Sequence, residues 1–447
     1  MKPAGRLQAA IEILAEIKTR HRPASQALSD WGRGHRFAGS GDRAAIGNIV
    51  YDALRHRASI AWRMGSAEAR ALALGVMVFH WDESAESLGE MFARDPHAPE
   101  TLSEEEVKAL ETGTLEGAPG WVQGDIPEWL EEAFEGNFSE DYIAEGQALA
   151  LRPPTDFRIN TLKADRGKVM KALKRFNPEP MELSPIGLRI APSAGPARTA
   201  NLQPEAAYQK GWVEVQDQGS QVCSLLVYAR PGEQVLDYCA GAGGKTLAMA
   251  AAMENKGQIF AYDADRNRLK PIYERLKRAG TRNVQVRSPG ESLEDLTGKM
   301  DRVVVDAPCT GSGVWRRRPD AKWRLTPDAL EKRLAEQAQV LEEASGYVRP
   351  GGYLCYITCS VLAQENEGQV SGFLETHEDF ELLSAGEVWE ELFQGADAKP
   401  WSSDDCTITL TPASTGTDGF FFAVMGRRTG EGTPPLPTQA SSGNTRP

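Results

Sequence analysis

Two cysteines close predicted core strands in this chain. Cys309 ends the run RVVVDAPCTGSG, and Cys359 ends GGYLCYITCS. Each follows a β-branched, apolar stretch long enough to cross a sheet, and small polar or glycine residues come next. In an open α/β sheet, ligand chemistry gathers at the carboxyl edge of the strands, so both sulfurs are expected at one place. A thiol there can act as a nucleophile. Two thiols suit a covalent intermediate that must be both formed and released. A third strand of the same kind ends in the glycine turn of VLDYCAGAGGKT.

That turn separates three ligand classes. Strand, glycine loop and helix in this order offer backbone N–H groups to a ligand at the helix N-terminus. A phosphate-binding loop needs a glycine six positions before its lysine, and Cys239 stands six before Lys245. The fingerprint GxGxxG fails too, since the glycines are Gly241, Gly243 and Gly244. What survives is the nucleoside turn of an S-adenosylmethionine enzyme, over Cys239, Ala240, Gly241, Ala242, Gly243, Gly244 and Lys245. Asp263 ends the next strand, in FAYDAD, where a carboxylate can accept both ribose hydroxyls. The bland alternative is a plain helix cap.

The elements that hold these residues repeat as strand, glycine turn and helix from Gln234 onward. QVLDYCA, QIFAYDA, NVQVR, DRVVVDA and GGYLCYITC are the strands, and TITLTP with GFFFAVMGR makes a final antiparallel pair. The fold class is therefore α/β, a Rossmann-like domain with a mostly parallel seven-stranded sheet over 213–428. Before it, 146–212 reads as a small α/β module and 1–145 as a helical domain with an acidic segment. The tail 429–447 is rich in Pro, Gly and Ser and is expected to be disordered.

At 447 residues and 41% hydrophobic, the chain can bury two or three cores. It lacks an apolar run of the roughly 18 residues that span a bilayer, and its start does not read as a secretory signal. Six cysteines without a CxxC pair suit a reducing cytoplasm and exclude the usual zinc patterns, so no metal is expected. Cys223, Cys355 and Cys406 read as small buried hydrophobes. The net charge of −13 argues against nucleic acid only as an average. Residues 71–147 carry 19 acids against 2 bases, while 1–70 are net basic. Arg316, Arg317, Arg318, Lys322 and Arg324 cluster beside Cys309, flanked by Trp315 and Trp323, and suggest a groove for RNA. A solvated face, or a core role for both tryptophans, is the competing interpretation.

DAPCTGSGVWRRRPDAKWR and YITCS, with CAGAGGKT, FRINTL, QDQGSQ, QENE and GFFFA, resemble the RNA cytosine carbon-5 methyltransferases of the RsmB/Nop/Sun family. The resemblance covers about residues 150–426, and RFAGSGDRAAIGNIVYDALRHR resembles the NusB-like helical domain of the RsmB branch. It implies S-adenosylmethionine as cofactor and RNA as partner, ribosomal RNA ahead of transfer RNA; a cytoplasmic monomer is expected besides. It implies Cys359 as the nucleophile on carbon-6 of cytosine and Cys309 as the thiol that assists release. Asp306 would bond the cytosine edge and the cofactor amine, with Lys245 near the nucleophile. Arg158 and Asn160, in FRIN, would line the RNA cleft. The family's proline before the double glycine is Ala242 here, and RSPGES stands where it carries an adenine-side aspartate. Two other functions compete: a catalytically silent RNA-binding assembly factor, and a nucleotide hydrolase weakened by the failed lysine spacing.

Overall fold

Apolar residues three and four apart make the first 80 residues helical, as Pro3–Arg20, Ala24–Gly34, Ser40–Arg55, Arg57–Met64 and Ala69–Phe79. The computed structural model describes residues 1–430 and Gly432, so nearly all of the tail expected to be disordered lies outside the described residues. Leu7, Ile13, Ile46, Ile49, Val50, Leu72 and Leu74 form the core of this helical unit. It comprises Met1–Pro153, Pro192–Ala200 and Val314–Leu325. The helical period of AAIGNIVYDALRHRASIAWRM is broken at His56. The cause is Asp125, whose carboxylate accepts the Ala58 and Ser59 amides at 2.9 Å each and starts a new helix there. The acidic stretch forms helices too. Ser103 and Glu106 close a reciprocal cap at 3.1 and 3.0 Å, starting the helix Glu104–Thr112.

The basic run expected to form an RNA groove belongs to this unit, and much of it is core. Trp315 is fully buried and stacks on Phe134, ring centroids 5.8 Å apart. Arg316 is buried, and its carbonyl accepts the Arg55 Nε–H at 2.9 Å. Lys322 is buried too, its ammonium donating to the carbonyls of Arg55 at 3.0 Å and Asp125 at 2.6 Å. Arg324 pairs with Asp320 at 2.8 Å, Arg317 is half-buried and Arg318 is exposed. The groove reading is therefore corrected for Arg316 and Lys322: both are buried, and the Lys322 ammonium satisfies backbone acceptors that a charged run in sequence does not reveal. Burial depresses the Lys322 ammonium to about 8, so it is held by those carbonyls against a desolvation cost. Lys322→Met should destabilise the helical unit by about 2–4 kcal/mol, because two buried carbonyls lose their donor. Denaturant unfolding followed by far-UV circular dichroism checks this, and an unchanged midpoint would contradict it.

The second unit holds two sheets. In the small one, β1 (Thr155–Ile159), β2 (Glu179–Pro180), β3 (Gly187–Ile190) and β4 (Val213–Val215) are antiparallel in the order β2-β3-β1-β4. Arg158 and Asn160 do not line an open cleft. Arg158 is 1% exposed, its Nε donates to Gln216 Oε1 at 2.7 Å, and burial lowers its pKa to about 10. Asn160 donates to the carbonyls of Gly211 at 2.9 Å and Ala279 at 2.8 Å, fastening the small sheet to the helix Ile272–Ala279. Both are structural clamps. Exposed bases of this module instead include Arg166, Lys168, Lys171, Lys174 and Arg175.

The large sheet consists of β5 (Gln234–Asp237), β6 (Gln258–Tyr262), β7 (Val284–Arg287), β8 (Met300–Asp306), β9 (Val348–Thr358), β10 (Phe380–Leu383), β11 (Ile408–Leu410) and β12 (Phe420–Arg427). Its order is β10-β12-β9-β8-β5-β6-β7, with β11 added on β12. The five strands β7, β6, β5, β8 and β9 run parallel, and β12 enters antiparallel beside β9. This is the expected Rossmann-like α/β fold with one strand more, since the acid-interrupted segment EDFELL supplies β10. Val303 and Val305 pack on one face of the sheet and Val304 on the other, which is why β8 reads as a continuous apolar run.

Candidate active site

Adjacent parallel strands bring the two cysteines together. β8 and β9 pair with Asp306 opposite Ile357, so the residues just beyond both strand ends emerge side by side. The Ala307 amide donates to the Ile357 carbonyl at 2.8 Å, and the Gly313 amide donates to the Cys359 carbonyl at 3.0 Å. These bonds stitch one loop to the other. Cys309 Sγ and Cys359 Sγ then lie 3.2 Å apart. The hydrogen bond to Cys359, together with burial, holds the Cys309 thiol well above the ordinary thiol range.

Beside the thiols stands an ion pair. Lys245 Nζ lies 2.8 Å from Asp306 Oδ2, with the lysine buried and the carboxylate partly exposed. Burial works against the Lys245 charge, but the attraction of Asp306 outweighs it and the ammonium is held above its ordinary pKa. Lys245 is therefore a fixed cation, and Cys359 is among the groups whose charge it feels.

The glycine turn completes the edge. Gly241 and Gly243 take left-handed φ values of 50° and 82°, and a Cβ at Gly243 would come within 2.5 Å of Ile272 Cγ1. At Gly241 a Cβ would meet nothing closer than 3.7 Å, and its space lies over Asp263 Oδ2 at 3.8 Å. Asp263 is buried, accepting the Gly241 amide at 2.9 Å and the Asp265 amide at 2.8 Å. Ala240 and Gly243 are buried, whereas Cys239, Ala242 and Gly244 are part-exposed along the turn. Asp237, Asp263 and Asp306 thus stand at or just past the ends of β5, β6 and β8, three neighbouring strand ends. Such a set suits a cationic nucleoside with hydroxyls, and it fits an S-adenosyl donor, which carries both a sulfonium and an ammonium.

The comparisons agree with this geometry. Residues 224–426 match the family described as 16S rRNA methyltransferase RsmB/F. The ribosomal RNA small subunit methyltransferase B of Erwinia tasmaniensis is 29% identical over 417 residues, 87% of this chain and 92% of its own. The probable ribosomal RNA small subunit methyltransferase B of Synechocystis sp. is 31% identical over 314 residues, 68% of this chain and 67% of that one. The chain belongs to the RsmB/F methyltransferase family. Among solved structures, the crystal structure of PH0851 superposes with a TM-score of 0.71 at 26% identity, covering 95% of this chain and 99% of that one.

Several residues of this RsmB/F site carry no expected role in the sequence. Glu365, in QENE, is fully buried and accepts the Thr310 amide at 2.8 Å and the Gln337 Nε2–H at 2.9 Å. Gln337 also donates to the Pro308 carbonyl at 2.9 Å. One carboxylate therefore fixes the loop on both sides of Cys309. Ser312 and Ser360 hydroxyls meet at 2.8 Å, joining the residues that follow each thiol loop. Cys223 and Cys355 are fully buried, and burial pushes each thiol up to about 12. Among the described residues no group of His, Cys, Asp and Glu is arranged to hold a metal ion.

Asp237 is the other buried acid. Thr246 donates to its Oδ2 at 2.6 Å, while Oδ1 is buried with no partner. Burial raises its carboxyl to about 7, so between about pH 4 and 7 the folded chain keeps a proton that the unfolded chain has lost. Stability falls as pH rises through that window, and the cost persists above it. Asp237→Asn should therefore melt higher than the parent at pH 8, by roughly 4 kcal/mol at most, and converge with it toward pH 4. Thermal unfolding at both pH values tests this. Equal melting at pH 8 would contradict the assignment.

Proposed function

We propose that the protein transfers a methyl group from S-adenosylmethionine to carbon-5 of a cytosine in ribosomal RNA. The observation that carries this is the contact of Cys309 and Cys359 at 3.2 Å, beside the Lys245–Asp306 pair and the glycine turn. The named relatives support ribosomal RNA as the substrate. Carbon-5 of cytosine is a weak nucleophile until a thiolate adds to carbon-6 and pushes electron density onto it. Of the two sulfurs, Cys359, in the YITCS motif that resembles the family's nucleophile, is the one to form the bond, and Cys309 lies 3.2 Å from it. A bound S-adenosylmethionine supplies the electrophilic methyl group. Asp306, held by Lys245 and part-exposed, is placed to accept hydrogen bonds from amino groups of ligands at this edge. Release requires the carbon-5 proton to leave. A base takes that proton, the C–H electron pair closes the carbon-5–carbon-6 double bond, and the carbon–sulfur bond breaks with its pair returning to Cys359. Cys309, deprotonated in the adduct, is the base beside that sulfur and passes the proton to water.

The cytosine has to be unstacked to reach such a pocket, which favours single-stranded or locally opened RNA. The exposed bases of the small module offer phosphate contacts, with Lys168 lying 4.0 Å from the Trp212 ring. Six cysteines without a CxxC pair suit a reducing compartment, which supports a cytoplasmic site of action. Incubation with tritium-labelled S-adenosylmethionine and small-subunit ribosomal RNA should place label in 5-methylcytosine. No transfer to any RNA would sink the proposal and favour a silent binding factor.

A further inference from the structure

The helical unit contains a pocket of about 580 Å³ that the chemistry at the thiols does not use. Four tryptophans line it: Trp62, Trp121, Trp129 and Trp323. They come from four separate pieces of chain. Trp62 lies on the helix Arg57–Met64, Trp121 on Gly120–Gln123, Trp129 on Glu128–Leu130 and Trp323 on Pro319–Arg324. Trp62 and Trp129 are 44% and 39% exposed, leaving large apolar faces in water where folding alone would hide them. Trp323 is held in place, its indole N–H donating to the Leu54 carbonyl at 2.5 Å.

The charge of the pocket selects its occupant. The Arg57 guanidinium lies over the Trp323 ring at 5.2 Å and has no carboxylate partner among the described residues. Lys322 lines the wall as well, though its ammonium is taken up by backbone carbonyls, and Glu128 is the one carboxylate lining the pocket. An unpaired guanidinium on an aromatic face repels a cationic ligand and is wasted on a neutral peptide. It suits a flat ring joined to a phosphate. Aromatic side chains with an adjoining Arg are the means by which unpaired bases are held on proteins.

We propose that this pocket binds an unpaired nucleobase of the RNA substrate, away from the base that is methylated, with Arg57 on the adjoining phosphate. The proposal rests on the ribosomal RNA methyltransferase assignment. It makes the helical domain an RNA-contacting part despite its acidic surface. The test uses the full chain, a fluorescein-labelled single-stranded 12-nucleotide RNA of mixed sequence, and small-subunit ribosomal RNA. Trp62 and Trp129 are exposed, so the double variant Trp62→Ala/Trp129→Ala should keep its far-UV circular dichroism and lose about ten- to a hundredfold in RNA affinity. Arg57→Gln should weaken binding and flatten its salt dependence. Phe37→Ala, removing an aromatic 71% exposed elsewhere on the same unit, should bind RNA as the parent does. RNA affinity unchanged in the double variant, with methyl transfer intact, would overturn the pocket and leave the enzymatic assignment standing. Quenching of these tryptophans by a proline-rich peptide but not by RNA would overturn it as well. Absence of methyl transfer by the parent chain, with RNA affinity still dependent on both tryptophans, would instead remove the enzymatic assignment and keep the pocket.

Discussion

Cys359→Ala should abolish methyl transfer to RNA, by at least about a thousandfold, and should form no protein–RNA complex that survives denaturant. Nothing else in the site can replace it. Lys245 and Asp306 are committed to each other at 2.8 Å, and Cys309 is held as a protonated thiol. Without a sulfur on carbon-6, carbon-5 is not activated, and positioning alone does not make it nucleophilic. The loss should come without unfolding. Cys359 is part-buried, and its backbone bond to the Gly313 amide survives the substitution. Parent-like melting with no turnover, read by thermal scan and tritium transfer, is the expected pair of results. Substantial residual transfer would remove Cys359 from the nucleophile's place.

Cys309→Ala should behave in the opposite way at one step and alike overall. Turnover should fail, yet the covalent complex should accumulate, because bond formation depends on Cys359 while release depends on its neighbour. The surrounding loop should keep its shape, since Glu365 still takes the Thr310 amide and Gln337 still holds Pro308. On a denaturing gel with labelled ribosomal RNA, a slow-migrating protein–RNA band should appear in this variant and be absent from the parent at completion. The same band in Cys359→Ala instead would reverse the roles of the two sulfurs.

The strand ends were legible before the structure because β-branched runs stop abruptly at Asp306 and Thr358, and small residues follow. What the sequence could not supply is that β8 and β9 are neighbours, the fact that turns two separate thiols into a 3.2 Å contact. The basic residues misled for a related reason. The Lys322 ammonium answers to the backbone of Arg55 and Asp125, the Arg316 carbonyl takes the Arg55 side chain, both far away in the chain, and a charged letter carries no mark of whether its stem is buried. Arg158 and Asn160 likewise serve Gln216, Gly211 and Ala279. Glu365 shows the converse. QENE carries no local sign of burial, yet its Glu365 is buried because amides from Thr310 and Gln337 converge on it. Local pattern located the sheet edge, and long-range pairing decided which polar groups serve chemistry and which hold the frame.

The most direct test is to trap Cys309→Ala on ribosomal RNA, digest protein and RNA, and locate the nucleotide-bearing peptide by mass spectrometry. A pyrimidine nucleotide attached through Cys359 is the expected result. Attachment at any other residue, or no adduct in either cysteine variant of an active parent, would contradict it.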